Sequence, residues 1–358
     1  MRYTKKLLVL ATAASLALAA CGSDDDNGAG DAPESTADAS GNDAPAAEGD
    51  NEISIVGFAV PEAANKAIAD AWAKTPEGEG VKFKTSYGAS GDQSRAVVDG
   101  LDADYVHFSV TSDVTRLVDA GLVDERWDDG PNQGVVSSSI VVIGVRPGNP
   151  LGITGWDDLI QPGIEIVTPN PASSGAARWN ALAAWGQVVA NGGTEDEATE
   201  YLEKFFANVV ALPGSGRDAT QSFLGGTGNV FMTYENEAIL ARQNGEEFEY
   251  VIPETTLKIE NPGAVLIDAN PKAQQWLEFV LGPDGQAQFA QKGFRPIIDG
   301  VDVGTVEGAN DPANPYPPVT NLLTVADDFV SWSDLSTKFF DEENGIVTRI
   351  IRESGKAE

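Results

Sequence analysis

Three Ser-Gly pairs stand where this chain could hold a ligand: Ser90-Gly91, Ser174-Gly175 and Ser215-Gly216. Each lies between a stretch with strand character and a stretch with helix character, in FKTSYGASGDQSRAVVDGL, IEIVTPNPASSGAARWNALAAWG and VVALPGSGRDATQSFLGG. Such a junction gathers unpaired backbone N–H groups and the positive end of a helix dipole at one point. Serine can cap the helix, and glycine lets backbone approach a ligand closely. Three junctions of this kind predict a small buried anion held by helix N-termini. The dipeptide alone carries no such meaning, since Ser40-Gly41 and Ser354-Gly355 lack the strand-to-helix setting.

Other chemistries find less support. The chain has one histidine, His107, inside an apolar stretch, and one cysteine, Cys21. That pair leaves no basis for a nitrogen- and sulfur-ligated zinc site, and none for an intramolecular disulfide. A Ser-His-Asp triad would have to use His107, and no Gly-x-Ser-x-Gly elbow is present. Asp128-Asp129 and Asp157-Asp158 read as solvated acids, although spacing alone leaves a glycosidase-type carboxylate pair open. Gly214-Ser215-Gly216-Arg217-Asp218-Ala219 matches the dinucleotide pattern G-x-G-x-x-A, with Glu235 where a ribose-binding acid would stand. A lone fingerprint of this kind is weak, and an exported protein meets little nicotinamide cofactor. Trp156, Trp179, Trp185 and Trp276 fall in helical patterns and read as core.

The elements that must position the three junctions alternate along the chain. ISIVGFAV reads as a strand, and Pro61 to Lys74 as a helix with proline in its first turn. VKFKTSYG, a helix from Asp92 to Leu101, the strand DYVHFSV and the helix SDVTRLVDAG follow, the last capped by Ser112 or Asp113. This β-α order predicts a parallel sheet covered by helices. SSSIVVIGVRPGNP is a long β-rich run suited to a crossover between lobes, and EYVIPETT and GAVLID read as strands returning to the first lobe. Residues 271–293 read as helix broken at Gly282-Pro283, and the chain closes with a short strand and two amphipathic helices. The expectation is two α/β lobes joined near 138–145 and 237–262, with the ligand at the carboxyl ends of strands in the cleft between them.

Length fits that architecture: 358 residues, 42% of them hydrophobic, suffice for two sizeable lobes. The start is not part of the fold. Arg2, Lys5 and Lys6 precede the apolar run Leu7 to Ala20, which is too short to span a bilayer and reads as a signal peptide over residues 1–20. Leu18-Ala19-Ala20-Cys21 resembles a bacterial lipoprotein box, so Cys21 is the expected lipidation site. Residues 21–51 are then a flexible acidic tether without large apolar side chains. A net charge of -32 argues against nucleic acid and against anionic lipid as partners. It does not exclude an anionic ligand, because exposed charges are screened beyond about 8–10 Å.

The same residues resemble a known family. GNPLGITGWDDLIQPGIEIVTPNPASSGAARWNALAAWG closely resembles the sulfate-binding proteins of ABC importers, and SYGASGDQSRAVVDGLDADYVHF, GSGRDATQSFLGGTGNVFMTYENEAIL and NPKAQQWLEFVLGPDGQAQFAQKGFRP extend the likeness. The resemblance implies an α/β, two-lobe periplasmic-binding-protein-like fold of type II. Lobe 1 would comprise 52–140 and 240–350 with the C-terminal helices, and lobe 2 residues 141–239. It implies a non-enzymatic, monomeric receptor for sulfate or thiosulfate, without cofactor or metal, serving an ABC permease from the periplasm or cell surface through its lipid anchor. Receptors for molybdate or another tetrahedral oxyanion, and an extracytoplasmic hydrolase of anionic esters, are the alternatives. Carried over by motif, the ligand donors are Ser90, Ser174, the backbone N–H groups of Gly175, Ala176 and Gly216, and Tyr234. The family often has glycine at Ala176, tryptophan at Tyr234 and aspartate at Ala59, so these three positions depart from its pattern.

Overall fold

A computed structural model of the chain describes residues 51–356. The expected signal peptide, the expected lipidation site Cys21 and the expected tether before Asn51 lie outside the described residues. The first half of the fold begins with β1 (Glu52–Phe58), α1 (Glu62–Trp72), β2 (Lys82–Gly88), α2 (Ser90–Val98), β3 (Tyr105–His107) and α3 (Thr111–Asp119). The long strand β4 (Val135–Val145) leaves it. Then come α4 (Trp156–Leu159), β5 (Ile166–Val167), α5 (Gly175–Ala190), α6 (Glu195–Ala207), β6 (Val209–Ala211), α7 (Gly216–Leu224), β7 (Val230–Tyr234), α8 (Glu235–Gln243) and β8 (Glu249–Val251). The second long strand, β9 (Thr255–Val265), returns, followed by α9 (Lys272–Leu281), α10 (Pro283–Gln291), β10 (Asn321–Leu323), α11 (Val325–Asp328), α12 (Trp332–Phe340) and α13 (Ile346–Glu353).

The strands run in the order β2-β1-β3-β9-β4-β7-β5-β6. β1 pairs in parallel with β2 and β3, and β5 in parallel with β6 and β7, as βα alternation requires. The expectation of an all-parallel sheet is corrected at the centre. β9 pairs antiparallel with β3, and β4 pairs antiparallel with β7 and β9. Two eleven-residue strands, β4 and β9, thus belong to both halves of the sheet and form the crossovers. β9 begins well before the expected GAVLID segment and runs through Asn261-Pro262-Gly263, a triplet that breaks strands elsewhere. β8 pairs with the end of β4 that also carries β7, so it lies with the second half rather than the first.

Local differences follow from capping. α1 takes Pro61 as its N-cap, and α3 is preceded by Val110, not capped by Ser112 or Asp113. The break at Gly282-Pro283 falls where expected, with proline at the start of α10. Trp72, Trp179 and Trp276 are wholly buried, and Trp156 and Trp185 nearly so. Trp72, Phe83 and Trp276 interlock in the first half with ring centroids 4.9–5.9 Å apart. On the other side Trp179 meets Trp332 edge-on at 4.7 Å and Trp185 meets Phe339 at 5.2 Å, which docks the C-terminal helix α12 onto α5. Such aromatic pairs add about 0.5–1.5 kcal/mol each beyond the area they bury.

Candidate functional site

The three Ser-Gly junctions differ in how each serine is used. Ser90 is not a cap; it is the first residue of α2, after Ala89. Its hydroxyl donates to Asp113 Oδ2 at 2.6 Å and accepts the Ser109 N–H at 2.9 Å. Asp113 is buried, and its other oxygen lies 3.1 Å from Arg116 Nη1. A hydroxyl has one proton, so the side chain of Ser90 is committed to Asp113.

Ser174 is the N-cap of α5, in extended backbone, yet it makes no capping bond. The residue at the third helical position, where a capping partner would stand, is Ala177. The Ser174 hydroxyl, buried at 3% exposure, has no acceptor or donor among the described residues. Ser215 caps α7 conventionally: its Oγ accepts from the Asp218 N–H at 3.1 Å and donates to Asp218 Oδ2 at 2.7 Å.

These junctions converge. Ser90, Ser174, Gly175, Ala176 and Gly216 all line one small cavity, together with Phe58, Ala59 and Val60 at the end of β1 and with Ser109 and Ser215. Its volume is about 10 Å³, on the order of the room one water molecule needs. No ionisable side chain lines it. The backbone N–H groups of Ser90, Gly175, Ala176 and Gly216 sit in first helical turns and have no acceptor among the described residues. By contrast, Gly91 N–H donates to the Ser173 carbonyl at 3.1 Å. The cavity is therefore a set of inward-facing donors with three positive dipole ends and no counter-charge of its own.

Tyr234 stands one step back. It does not line the cavity; its hydroxyl lies 2.7 Å from Ser109 Oγ. Burial pushes its pKa upward, so it stays a neutral phenol. Two residues that sequence reasoning did not single out hold the site together. Ser109 is wholly buried: its carbonyl accepts from Trp179 Nε1 at 2.8 Å and from Asn261 Nδ2 at 2.9 Å, besides the bonds to Ser90 and Tyr234. Ser173 links all three junctions, because its hydroxyl donates to the Gly214 carbonyl at 2.8 Å while its carbonyl receives Gly91. The SSG doublet was the only local signal for Ser173. Ser109 had none, since its partners are far away in sequence.

The charged residues near the motifs are engaged away from the cavity lining. Asp92 pairs with Arg95, and Arg217 forms a two-pronged bond with Glu237 at 2.9 and 3.0 Å. Arg178 reaches the Pro171 carbonyl at 3.2 Å and lies over Phe340. Glu235, the acid of the nucleotide fingerprint, is wholly buried and paired with Arg295 Nε at 2.6 Å, so no ribose could reach it. His107 is also wholly buried, with its ring nitrogens 3.2 Å from Asn65 Oδ1 and 3.0 Å from Ser137 Oγ; burial pushes its pKa down to about 3. A larger trough of about 930 Å³, lined by Asp157, Asp158, Glu197, Glu200 and Glu254 among others, lies apart from these donors and is acidic. No group of three or more acidic, histidine or cysteine side chains suited to a metal ion occurs among the described residues.

Known proteins resemble this chain. A family model described as bacterial extracellular solute-binding protein matches residues 53–295. The sulfate-binding protein of Synechococcus elongatus is 37% identical over 93% of this chain and 92% of its own length. The chain belongs to the sulfate-binding protein family. Within this family's reach, a thiosulfate-binding protein of Pseudomonas aeruginosa is 37% identical over 65% of this chain and 73% of its own. The sulfate-binding protein SubI from Mycobacterium tuberculosis superposes with a TM-score of 0.76 at 40% identity, covering 81% of this chain and all of that one. The fold is thus the two-lobe α/β architecture of solute-binding proteins, with β4 and β9 as its crossovers.

Proposed function

We propose that this protein captures sulfate, with thiosulfate as its second ligand, and passes it to an ABC importer. One observation carries the reading: uncommitted N–H donors of three helix starts, plus the free Ser174 hydroxyl, surround a cavity with no ionisable side chain. In this reading the dianion takes the Ser174 hydroxyl and the N–H groups of Ser90, Gly175, Ala176 and Gly216. Tyr234 acts through Ser109: their hydroxyls are bonded, either one able to donate, and with Tyr234 as donor the Ser109 proton is free to turn into the cavity. Hydrogen bonds to a charged partner contribute about 1.5–3 kcal/mol each. Micromolar affinity needs about 8 kcal/mol net, so such a set suffices after closure costs. Hydrogen phosphate would need an acceptor, and the nearest buried acid, Asp113, is already bonded to Ser90.

The acidic surface is compatible with this ligand because the closed site feels its own dipoles first. The reading is non-catalytic: His107, the one histidine, faces Asn65 and Ser137 rather than the cavity. We place the protein at the cell surface or in the periplasm, tethered through lipidated Cys21, and take lobe 1 as 52–140 with β9, α9 and α10, and lobe 2 as 141–251 with α12 and α13, which pack on α5 and α6. Titration calorimetry with sulfate, thiosulfate, molybdate and phosphate tests the ligand. Sulfate should bind tightest, and no binding of sulfate below millimolar concentration would contradict the reading.

A further inference from the structure

The glycines of the three pairs have a role that backbone conformation does not explain. Gly91, Gly175 and Gly216 are all absent from the positive-φ positions. All three lie in helical first turns, where alanine would favour the helix more. A side chain at Gly91 or Gly175 would meet the opposite half of the molecule, and one at Gly216 would meet both Ala176 of its own half and Val60 of the other. A Cβ on Gly175 of α5 would lie 2.5 Å from Ser109 Cβ, beyond β3, and closer still to its Oγ. One on Gly91 of α2 would lie 3.1 Å from the Ser173 carbonyl oxygen, in the loop before α5. One on Gly216 of α7 would lie 3.3 Å from Val60 Cγ2, beyond β1, and 3.2 Å from Ala176 Cβ.

These contacts sit among the bonds that join the halves. Gly91 N–H reaches Ser173 O at 3.1 Å, Trp179 Nε1 reaches Ser109 O at 2.8 Å, and Arg217 Nη2 reaches Val60 O at 3.4 Å. The neighbours also differ in how far they can yield. Ser109 is held by bonds at its N–H, its carbonyl and its hydroxyl, so it cannot move aside. At Gly216 the contacts are longer, so Val60 and Ala176 would have to give by only a few tenths of an ångström.

We propose that Gly91, Gly175 and Gly216 set the distance at which the two lobes close, and so fix both the affinity for the anion and the size of anion accepted. This rests on the cavity being the sulfate site. A methyl group at Gly175 would hold the lobes apart. A methyl group at Gly216 would open the cavity slightly, which favours the longer thiosulfate over sulfate.

The test uses titration calorimetry with sodium sulfate and sodium thiosulfate on the mature protein. Overpacking by one methyl group predicts that Gly175→Ala weakens sulfate binding by about 5- to 150-fold. Small-angle scattering should show the wild type compacting with sulfate and Gly175→Ala staying expanded. Gly216→Ala, the milder change, guards against misfolding and should raise the thiosulfate-to-sulfate affinity ratio. Wild-type sulfate affinity in Gly175→Ala, or an unchanged ratio in a folded Gly216→Ala, would overturn the inference. If the wild type itself binds neither anion, it is the site reading that fails; if it binds both and the variants match it, only the closure inference fails.

Discussion

Ser174-Gly175 and Ser215-Gly216 are the same dipeptide in the same setting, each at the start of a helix beside the same cavity, yet their serines do different work. Ser215 is bound to Asp218 by both N–H and carboxylate, while Ser174 bonds to nothing in its own helix. The difference lies three residues on. α7 reads Ser-Gly-Arg-Asp and α5 reads Ser-Gly-Ala-Ala. Wherever an acid follows a Ser or Thr cap at that spacing in this chain, the cap is closed: Thr194 with Glu197, Thr324 with Asp327 and Ser331 with Asp334 repeat the Ser215 pattern. The absence of an acid at Ala177 is what leaves the Ser174 hydroxyl available to a ligand.

Making α5 resemble α7 should therefore have the largest effect. Ala177→Asp would give Ser174 a capping partner and place a carboxylate beside the cavity; sulfate affinity should fall by at least about a hundredfold in a binding titration. Ser174→Ala comes next, with an expected loss of about 10- to 150-fold, the value of one hydrogen bond to a charged partner. Its melting temperature should hardly change, because no capping bond is lost. Ser215→Ala should show the reverse pattern: about 1 kcal/mol lower stability in denaturant unfolding, with sulfate affinity nearly unchanged. Equal effects of the two serine replacements on affinity would break the comparison.

The smallest effect separates the site from the core by pH. No titratable side chain lines the cavity, so sulfate affinity should stay flat between about pH 5 and 8. Stability should not. His107 falls from an ordinary 6.5 to about 3 through burial. Below 6.5 the unfolded chain takes up a proton that the folded chain refuses, so stability drops as pH falls through that window, by about 1.4 kcal/mol per unit at most. Thermal melts of His107→Gln between pH 5 and 7 should lack that part of the slope.

Much of this was legible beforehand. The strand-to-helix junctions, the crossover at β4, the helix break at Gly282-Pro283 and the buried tryptophans follow from periodicity and from Gly and Pro placement. β9 was read too short because Asn261-Pro262-Gly263 has poor strand character; its partners on both sides, β3 and β4, override that. Ser90 is expected as a donor, and the sequence does not show which of its groups is available: Asp113, brought in by α3, takes the hydroxyl proton and leaves the N–H. Ser109 could not be found from sequence because Ser90, Trp179, Tyr234 and Asn261 meet it only in the folded chain. The sequence shows why glycine would let backbone approach a ligand; it does not show that Gly91 and Gly175 also lie against the opposite half of the protein, a contact made only in the folded chain.

The central claim is that the free hydroxyl and the three helix starts hold one dianion. A crystal structure of the protein grown with selenate, located by its anomalous signal, tests this most directly. A single tetrahedral anion should appear, bonded by Ser174 Oγ and by the N–H groups of Ser90, Gly175, Ala176 and Gly216, with no lysine or arginine in contact. An anion bound elsewhere, or one held by an arginine, would contradict it.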